Sequence, residues 1–465
     1  MKTWTVQGLW AALLSLVCAV PASAQFWADA GQPSMQVSAP ICFSDSIHDV
    51  LIVGGGSYFY TDSLHAYRPL YRYNGFQWDT LGLFGNVIFT AVVWHDTLIV
   101  GGAFKTIHDE PMVRIACYVN GTWQPYGAID TAAYAGHVSN LRIIDGVLYA
   151  LGVFEYADGQ LCKGVAKRVG GHWEALGPMP EFEGDPYMFD IAKFQGQLVV
   201  SGNFNTIDGV LVDLMQFNGS TWEPVCNCMH GGFDSAGNLV VYNGDLYMGG
   251  ACHYSSGNPG QGILRWDGGQ WYGLRPPGDG IQTINNSDQY TPVIDMVKAH
   301  DGRLFFSGGF TYVDHMATPG IASWDGANFC TLGDSDLTYG VFSFAFYHDT
   351  LYASTGPDVT TGRGLVRYLS TDFTYECGSV GIDDGPTVDQ PLRAEWAPNG
   401  VLTLWGLKDG VHDLRVFDAQ GRIVLDESIQ SREGSTGDIP FPSPRAAFYM
   451  AVVDGQRVCR FIPFH

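Results

Sequence analysis

Residues 264–274 read LRWDGGQWYGL, two tryptophans set around Asp-Gly-Gly, and the phrase returns along the chain with changed words. Residues 71–82 give YRYNGFQWDTLG, 117–127 CYVNGTWQPYG, 167–177 KRVGGHWEALG, 215–225 MQFNGSTWEPV and 322–333 ASWDGANFCTLG. Asn-Gly and Asp-Gly supply the positive φ that a two-residue hairpin turn demands, so each phrase reads as two antiparallel strands with aromatics beside the turn. Ahead of each phrase, and once more near the end, stands an apolar run closing on glycine or another small residue. The runs are LIVGGG from Leu51, LIVGGAF from Leu98, LYALGVF from Leu148, LVVSGNF from Leu198, LYMGGAC from Leu246, LFFSGGF from Leu304 and LYASTGP from Leu351. A spacing of about fifty residues belongs to propeller-type arrays, and seven runs predict seven units.

A further turn precedes each run: His48-Asp49, His95-Asp96, Asp145-Gly146, Gln195-Gly196, Asn243-Gly244, Asp301-Gly302 and His348-Asp349. Each unit is therefore four strands, A to D, with tight A–B and C–D hairpins. Repeated around a ring, such a meander is a propeller blade. The expected fold is all-β, a seven-bladed β-propeller over residues 25–377 followed by a small C-terminal β-sandwich. Aromatic pairs such as Trp266 with Trp271, Tyr73 with Trp78 and Trp324 with Phe329 then fill the wedges between blades, as scaffold and not as a binding code. Residues 26–31, FWADAG, look like a stray outer strand that either latches the ring or hangs loose. Latching is the reading adopted, although residues 372–377 offer the last unit an outer strand of its own.

The repeat resembles kelch-type propellers. It is closer still to bacterial and fungal propeller repeats written roughly GGxF then IAxWDGxxWxxLG, including those of fungal cortical-marker proteins. GGF at 308–310 and IASWDGANFCTLG at 321–333 show it best. The resemblance covers about residues 40–377 and implies fold, not activity, because propellers host hydrolases, oxidases and pure binding modules.

Bulk composition agrees with this architecture and narrows the partners. Hydrophobic residues make up 46% and charged residues only 15%, with 59 glycines, which suits a turn-rich all-β chain. The formal charge of −23 argues against nucleic acid and anionic membrane surfaces as partners. Residues 1–24 read as a signal peptide, with one Lys, an apolar stretch over 9–20 and Ala-Ser-Ala before Gln25. No later apolar run reaches the roughly 18 residues of a membrane span, so export without a transmembrane segment is expected. Cys18 leaves with the leader, and an odd number of the ten cysteines remains, so at least one thiol lacks an intramolecular partner.

After Cys377 the rhythm changes. Residues 378–390 read as a Gly, Asp and Pro-rich linker, and 391–465 as a second domain of alternating apolar and polar residues with turns at Asn399-Gly400, Gln420-Gly421 and Asp454-Gly455. This segment resembles the type A sorting domain of the Bacteroidota type IX secretion system, through Pro398-Asn399, LRVFDAQGRIV at 414–424 and FYMAVVDGQRVCRFI at 448–462. That family commonly closes on a basic tail around Lys, whereas this chain ends RFIPFH. The resemblance implies Sec export, passage through the outer membrane by the type IX machinery, removal of the tail, and a secreted or cell-surface product.

In a blade the A–B and C–D loops share one face, while the B–C loops and D–A crossings share the other. Here the second set is long and varied, with crossings at 128–137, 177–189, 226–237 and 275–292, so a ligand is expected on that face. Its candidate residues are Tyr58, Tyr60, Tyr134, Asp185, Tyr187, Tyr254, Tyr290 and Tyr312, rings and acid suited to stacking and hydrogen-bonding an extracellular glycan or protein. Plain surface loop is an equally weighted reading of them. Cys226, Cys228, His230, Cys252 and His253 have thiolate and imidazole spacing for half a metal site, but in an exported chain a disulfide, for instance Cys252 with Cys226 or Cys228, is the more frequent outcome. No motif calls for a cofactor. The sequence thus points to a secreted binding or scaffold protein, with a glycan hydrolase or lyase, or a metal-dependent oxidase, as the alternative.

Overall fold

Six of the A–B turns form where the sequence places them; at His48-Asp49 the expected two-residue turn is instead a four-residue loop between Asp45 and Val50, because Asp45 Oδ1 accepts from Ile47 N and His48 N, both at 3.0 Å. His95 and Asp96 take φ of 48° and 61°, His348 and Asp349 48° and 57°, and Asp145 and Gly146 50° and 77°, so both central residues sit in the left-handed region of a tight hairpin. The computed structural model describes residues 26–31, 41–56, 59–60, 66–130, 136–182, 186–205, 211–225, 237–250, 252, 258–275, 281–282, 293–314, 316–318, 320–333, 340–355, 364–370, 373–374, 376–377, 393–397, 401–405, 407, 410–418, 422–432, 435–436, 439–441, 449–453 and 457–461. Residues 1–24, expected as a signal peptide, and 378–390, expected as a linker, lie outside them. The chain divides into two compact units, Met1–Val380 and Gly381–His465.

The first unit is a seven-bladed propeller. Each blade runs A-B-C-D in its sheet. The A strands are Ile41–Asp45, Ile88–Trp94, His137–Ile144, Tyr187–Phe194, Leu239–Tyr242, Val293–His300 and Val341–Tyr347. Each lies beside the A strand of the next blade, and the seventh lies beside the first, so the ring is closed.

Latching closes it. Trp27–Asp29 is the outer strand of the seventh blade, with Trp27, Ala28 and Asp29 opposite Tyr368, Arg367 and Val366. Residues 372–377, expected as an alternative outer strand of that blade, instead deliver Glu376–Cys377 to the sixth blade as a fifth strand beside Phe329–Thr331. The physical reason is occupancy, since the amino-terminal strand already fills the open edge, and Cys377 is bonded to Cys330. This crosslink closes a loop of 47 residues and stabilises mainly by restricting the unfolded chain. Reduction, or Cys377→Ser, is expected to lower stability by about 3 kcal/mol, read as a shift in the denaturant midpoint with and without reductant.

Two features of the repeat have structural causes. The aromatic pairs meet across the C–D turns as expected, at 5.2 Å for Trp266 with Trp271, 4.8 Å for Tyr73 with Trp78 and 4.6 Å for Trp324 with Phe329. In the second, third and fourth blades the D-strand tryptophan also reaches the blade before it. The indole Nε1 of Trp123 donates to Leu81 O at 2.9 Å, Trp173 to Tyr126 O at 2.8 Å and Trp222 to Leu176 O at 2.9 Å. One side chain therefore fills the wedge and bonds across it.

The expected two-residue C–D turns occur only at Asn120-Gly121 and Gly170-Gly171. In the first, fourth, fifth and sixth blades the strands resume four residues on, as in Trp266 paired with Trp271. There the Asn or Asp side chain organises the loop: Asp267 Oδ1 accepts from the N–H groups of Gly269 and Gln270 at 2.7 and 2.9 Å, and Asn218 Oδ1 from Ser220 and Thr221 at 2.9 and 3.0 Å. Those hydrogen bonds, from Gln270 and Gly269, hold the Asp267 carboxyl below the usual carboxylate range.

The second unit is one antiparallel eight-stranded sheet whose first and last strands, Arg393–Ala397 and Arg457–Phe461, come back beside each other. The enclosed core includes Leu402, Leu404, Leu414, Val416, Ile429, Phe441, Ala451 and Val453. No helix among the described residues is long and apolar enough to cross a membrane.

Candidate functional site at the propeller axis

The glycines that end the apolar runs answer to a bulge in the neighbouring strand. Strand A slips by one residue between Ile88 and Thr90, Val138 and Asn140, Met188 and Asp190, Val293 and Asp295, and Val341 and Ser343. At this bulge the chain swings its carbonyl toward strand B, and a Cβ at Gly102, Gly152 or Gly202 would run into Val87 O, His137 O or Tyr187 O. Gly202→Ala is therefore expected to destabilise the propeller by about 1–3 kcal/mol, measured by urea unfolding, whereas the same change at the open Gly196 turn should leave the core packing alone.

In the second, third, fourth and seventh blades the bulge frees one residue to face the axis and places a polar residue next to it. The freed residues include Phe89, Ser139, Phe189 and Phe342, and all four line one cavity of ≈ 490 Å³. Its walls come from the A strands of the first, second, third, fourth and seventh blades, and from Asn238 at the start of the fifth. Only the central channel is common to so many blades. The bulges lie at the starts of the A strands, hence at the end that carries the B–C loops and D–A crossings.

The polar residues after the bulges tie blade to blade. Thr90 Oγ1 accepts from Leu141 N at 3.1 Å, Asp190 Oδ2 from Leu239 N at 2.9 Å and Ser343 Oγ from Cys42 N at 3.0 Å, each donor lying on the next blade. Asn140 donates its amide to Phe189 O at 3.2 Å and Asp190 Oδ1 at 3.0 Å. Asp190 is fully buried and is the hub. Its carboxylate also takes Arg142 Nε at 2.7 Å and Nη2 at 2.8 Å in a two-pronged pair, and its own neighbour Ile191 N at 2.8 Å.

Beside this belt runs an aromatic wall. Phe89 lies 5.1 Å from the His137 ring, His137 5.2 Å from Tyr187, and Tyr187 4.4 Å from Phe189. The Tyr187 hydroxyl and His137 Nε2 are 3.2 Å apart.

Of the residues singled out in the sequence, Tyr187 lines this pocket. Tyr312 sits instead on a short strand of the sixth B–C hairpin, paired with Ile281–Gln282 of the preceding crossing. Tyr60 falls on the strand Phe59–Tyr60. Tyr58, Tyr134, Asp185, Tyr254 and Tyr290 lie outside the described residues, as do Cys226, Cys228, His230 and His253. Cys252 is a buried free thiol, so the pairing suggested for it does not form, and burial pushes it up to about 12. Cys162 is raised to about 11 for the same reason, and both thiols are expected to resist alkylation at neutral pH until the protein is unfolded. Among the described residues no group of three or more His, Cys, Asp or Glu is placed to hold a metal ion.

Phe89, Asn140, Arg142, Phe189, Asn238 and Phe342 were not anticipated. A usable signal existed in the constant separation of Phe89 from Gly102, Ser139 from Gly152 and Phe189 from Gly202. It marks the same position of strand A in three blades.

No family model matches the chain, and no curated protein matches it. Among solved structures, Trypanosoma rangeli sialidase in complex with 2,3-difluorosialic acid is similar at TM-score 0.37 and 11% identity, over 94% of this chain and 88% of that one. Phage phi92 endosialidase is similar at TM-score 0.31 and 10% identity, over 92% and 85%. The GH43 protein BlXynB from Bacillus licheniformis is similar at TM-score 0.25 and 10% identity, over 90% and 84%. Similarities this distant leave the site to be read from its own residues.

Proposed function

We propose that the protein is an exported binding propeller that captures an extracellular glycan in its axial pocket. The observation that carries this reading is the lining itself, in which aromatic rings stand beside hydroxyl, amide and guanidinium groups around a cavity of ≈ 490 Å³. A ring stacks on the apolar face of a sugar while the polar groups take its hydroxyls. The concave form favours a small ligand over a protein surface.

Catalytic cleavage of a glycosidic bond needs two carboxyl groups about 5–10 Å apart across the sugar. Among the described residues the lining carries no carboxylate, and Asp190 behind it is committed to the inter-blade belt.

The leader at 1–24 and the likeness of 391–465 to a type IX sorting domain support export to the medium or cell surface. The Cys330–Cys377 crosslink fits an oxidising compartment. Two measurements test the whole. A glycan array probed with the mature protein should give discrete binding that Phe89→Ala weakens, and a reducing-end assay on each bound glycan should stay at background. Turnover would replace capture by hydrolysis. In cells, deletion of 381–465 should trap the propeller in the periplasm, and continued appearance in the medium would remove the sorting role.

A further inference from the structure

We propose that the axial pocket selects uncharged sugars, one or two rings in size, over acidic ones. This rests on the glycan-capture reading above and narrows it to a ligand class. The first observation is charge balance. Arg142 is the one charged side chain in the described lining, and both of its bonded nitrogens are spanned by the two oxygens of Asp190, at 2.7 and 2.8 Å. Among the described residues the wall therefore presents a compensated pair and no net positive charge. A ligand carboxylate approaching Arg142 would find its Nε and Nη2 already taken by the Asp190 carboxylate, whose like charge repels it.

The second observation is independent and long-range. The whole chain carries a formal charge of −23, so its field opposes the approach of anions and leaves neutral ligands unaffected. The third is shape. Phe89, Tyr187 and Phe189 line the cavity, and the buried His137 ring packs against Phe89 and Tyr187 at 5.1 and 5.2 Å, so rings of the second and fourth blades are held in one aromatic wall. Stacking on such a wall requires a flat apolar face, which a neutral pyranose offers. The amides of Asn140 and Asn238 and the hydroxyl of Ser139 stand at the same cavity for the equatorial hydroxyls.

The experiment is titration calorimetry on the whole mature chain with lactose, cellobiose, maltose and diacetylchitobiose, against sialyllactose and digalacturonate, at physiological salt. At least one neutral disaccharide is expected to bind about tenfold or more tighter than either acidic sugar. Phe89 is 37% exposed, so Phe89→Ala should leave the melting temperature unchanged while weakening the neutral ligand about tenfold, and Phe342→Ala serves as the second variant. Equal or tighter binding of an acidic sugar, still sensitive to these two variants, overturns the selectivity and leaves axial capture standing. Binding indifferent to both variants overturns the axial site as well. Failure of every neutral disaccharide to bind also overturns the proposal.

Discussion

Trp27→Ala is expected to lower the free energy of unfolding by about 4 kcal/mol, among the largest effects of any single substitution in the propeller. The indole is 1% exposed and packs 5.0 Å from Tyr368, within a cluster that also holds Phe305, Leu332, Phe344 and Phe373 of the sixth and seventh blades. Truncation removes the transfer energy of a large ring and leaves a cavity under the strand that closes the circle. Backbone pairing, including Leu369 N to Phe26 O at 2.9 Å and Ala30 N to Leu365 O at 3.3 Å, and the packing of Phe26 and Ala30 would then have to hold the latch. Equilibrium urea unfolding checks the magnitude, and limited proteolysis checks the site, with first cleavage expected near the amino terminus. An unchanged midpoint would mean that the ring stays shut without this strand.

The second large effect is expected at Asp190→Ala, at about 3–5 kcal/mol. The substitution strands the Arg142 guanidinium without its carboxylate and leaves Ile191 N and Leu239 N without their acceptor, at the junction of three blades. The Arg142 side chain is 37% exposed, so water recovers part of the loss and the lower end of that range is expected. A double-mutant cycle with Arg142→Met separates the pair from the backbone bonds. If the double variant is as unstable as Asp190→Ala alone, the lost backbone acceptors dominate; if it recovers, the uncompensated charge does. A single variant as stable as the parent would remove Asp190 as the hub.

The propeller was legible because its signals are local and repeated. Asn-Gly and Asp-Gly pairs, apolar runs and flanking aromatics each reflect a nearby backbone requirement, and seven repetitions make a chance pattern untenable. The four-residue C–D loops at Asn74, Asn218, Asp267 and Asp325 were misread because Asx-Gly serves both a two-residue hairpin and an Asx turn. What separates them is the distance from the Asx residue to the D-strand aromatic, four residues from Asp267 to Trp271 but three from Asn120 to Trp123. The axial site was largely hidden for a different reason. Its wall is assembled from one or two residues per blade, and which of them faces the axis depends on a one-residue slip within strand A. Tyr187 was found because it lies in a Tyr-rich crossing, but Phe89 and Phe342 look like ordinary strand interior until the bulge is seen. The destination of residues 372–377 depended on competition between two segments for one edge, which no local pattern encodes.

The closure by Trp27–Asp29 also bears on the order of assembly. Its partner Leu365–Tyr368 follows the strands of six blades in the chain, so Trp27–Asp29 waits unpaired while those blades form, and its closure joins segments separated by nearly the whole propeller. Such a contact is entropically slow, and the open seventh edge remains a template for wrong pairing until it is filled. A permuted chain that begins at Ile41 and carries the latch after Tyr368 would turn that distant encounter into a neighbouring hairpin, and should reach the closed ring faster without altering a single contact inside it.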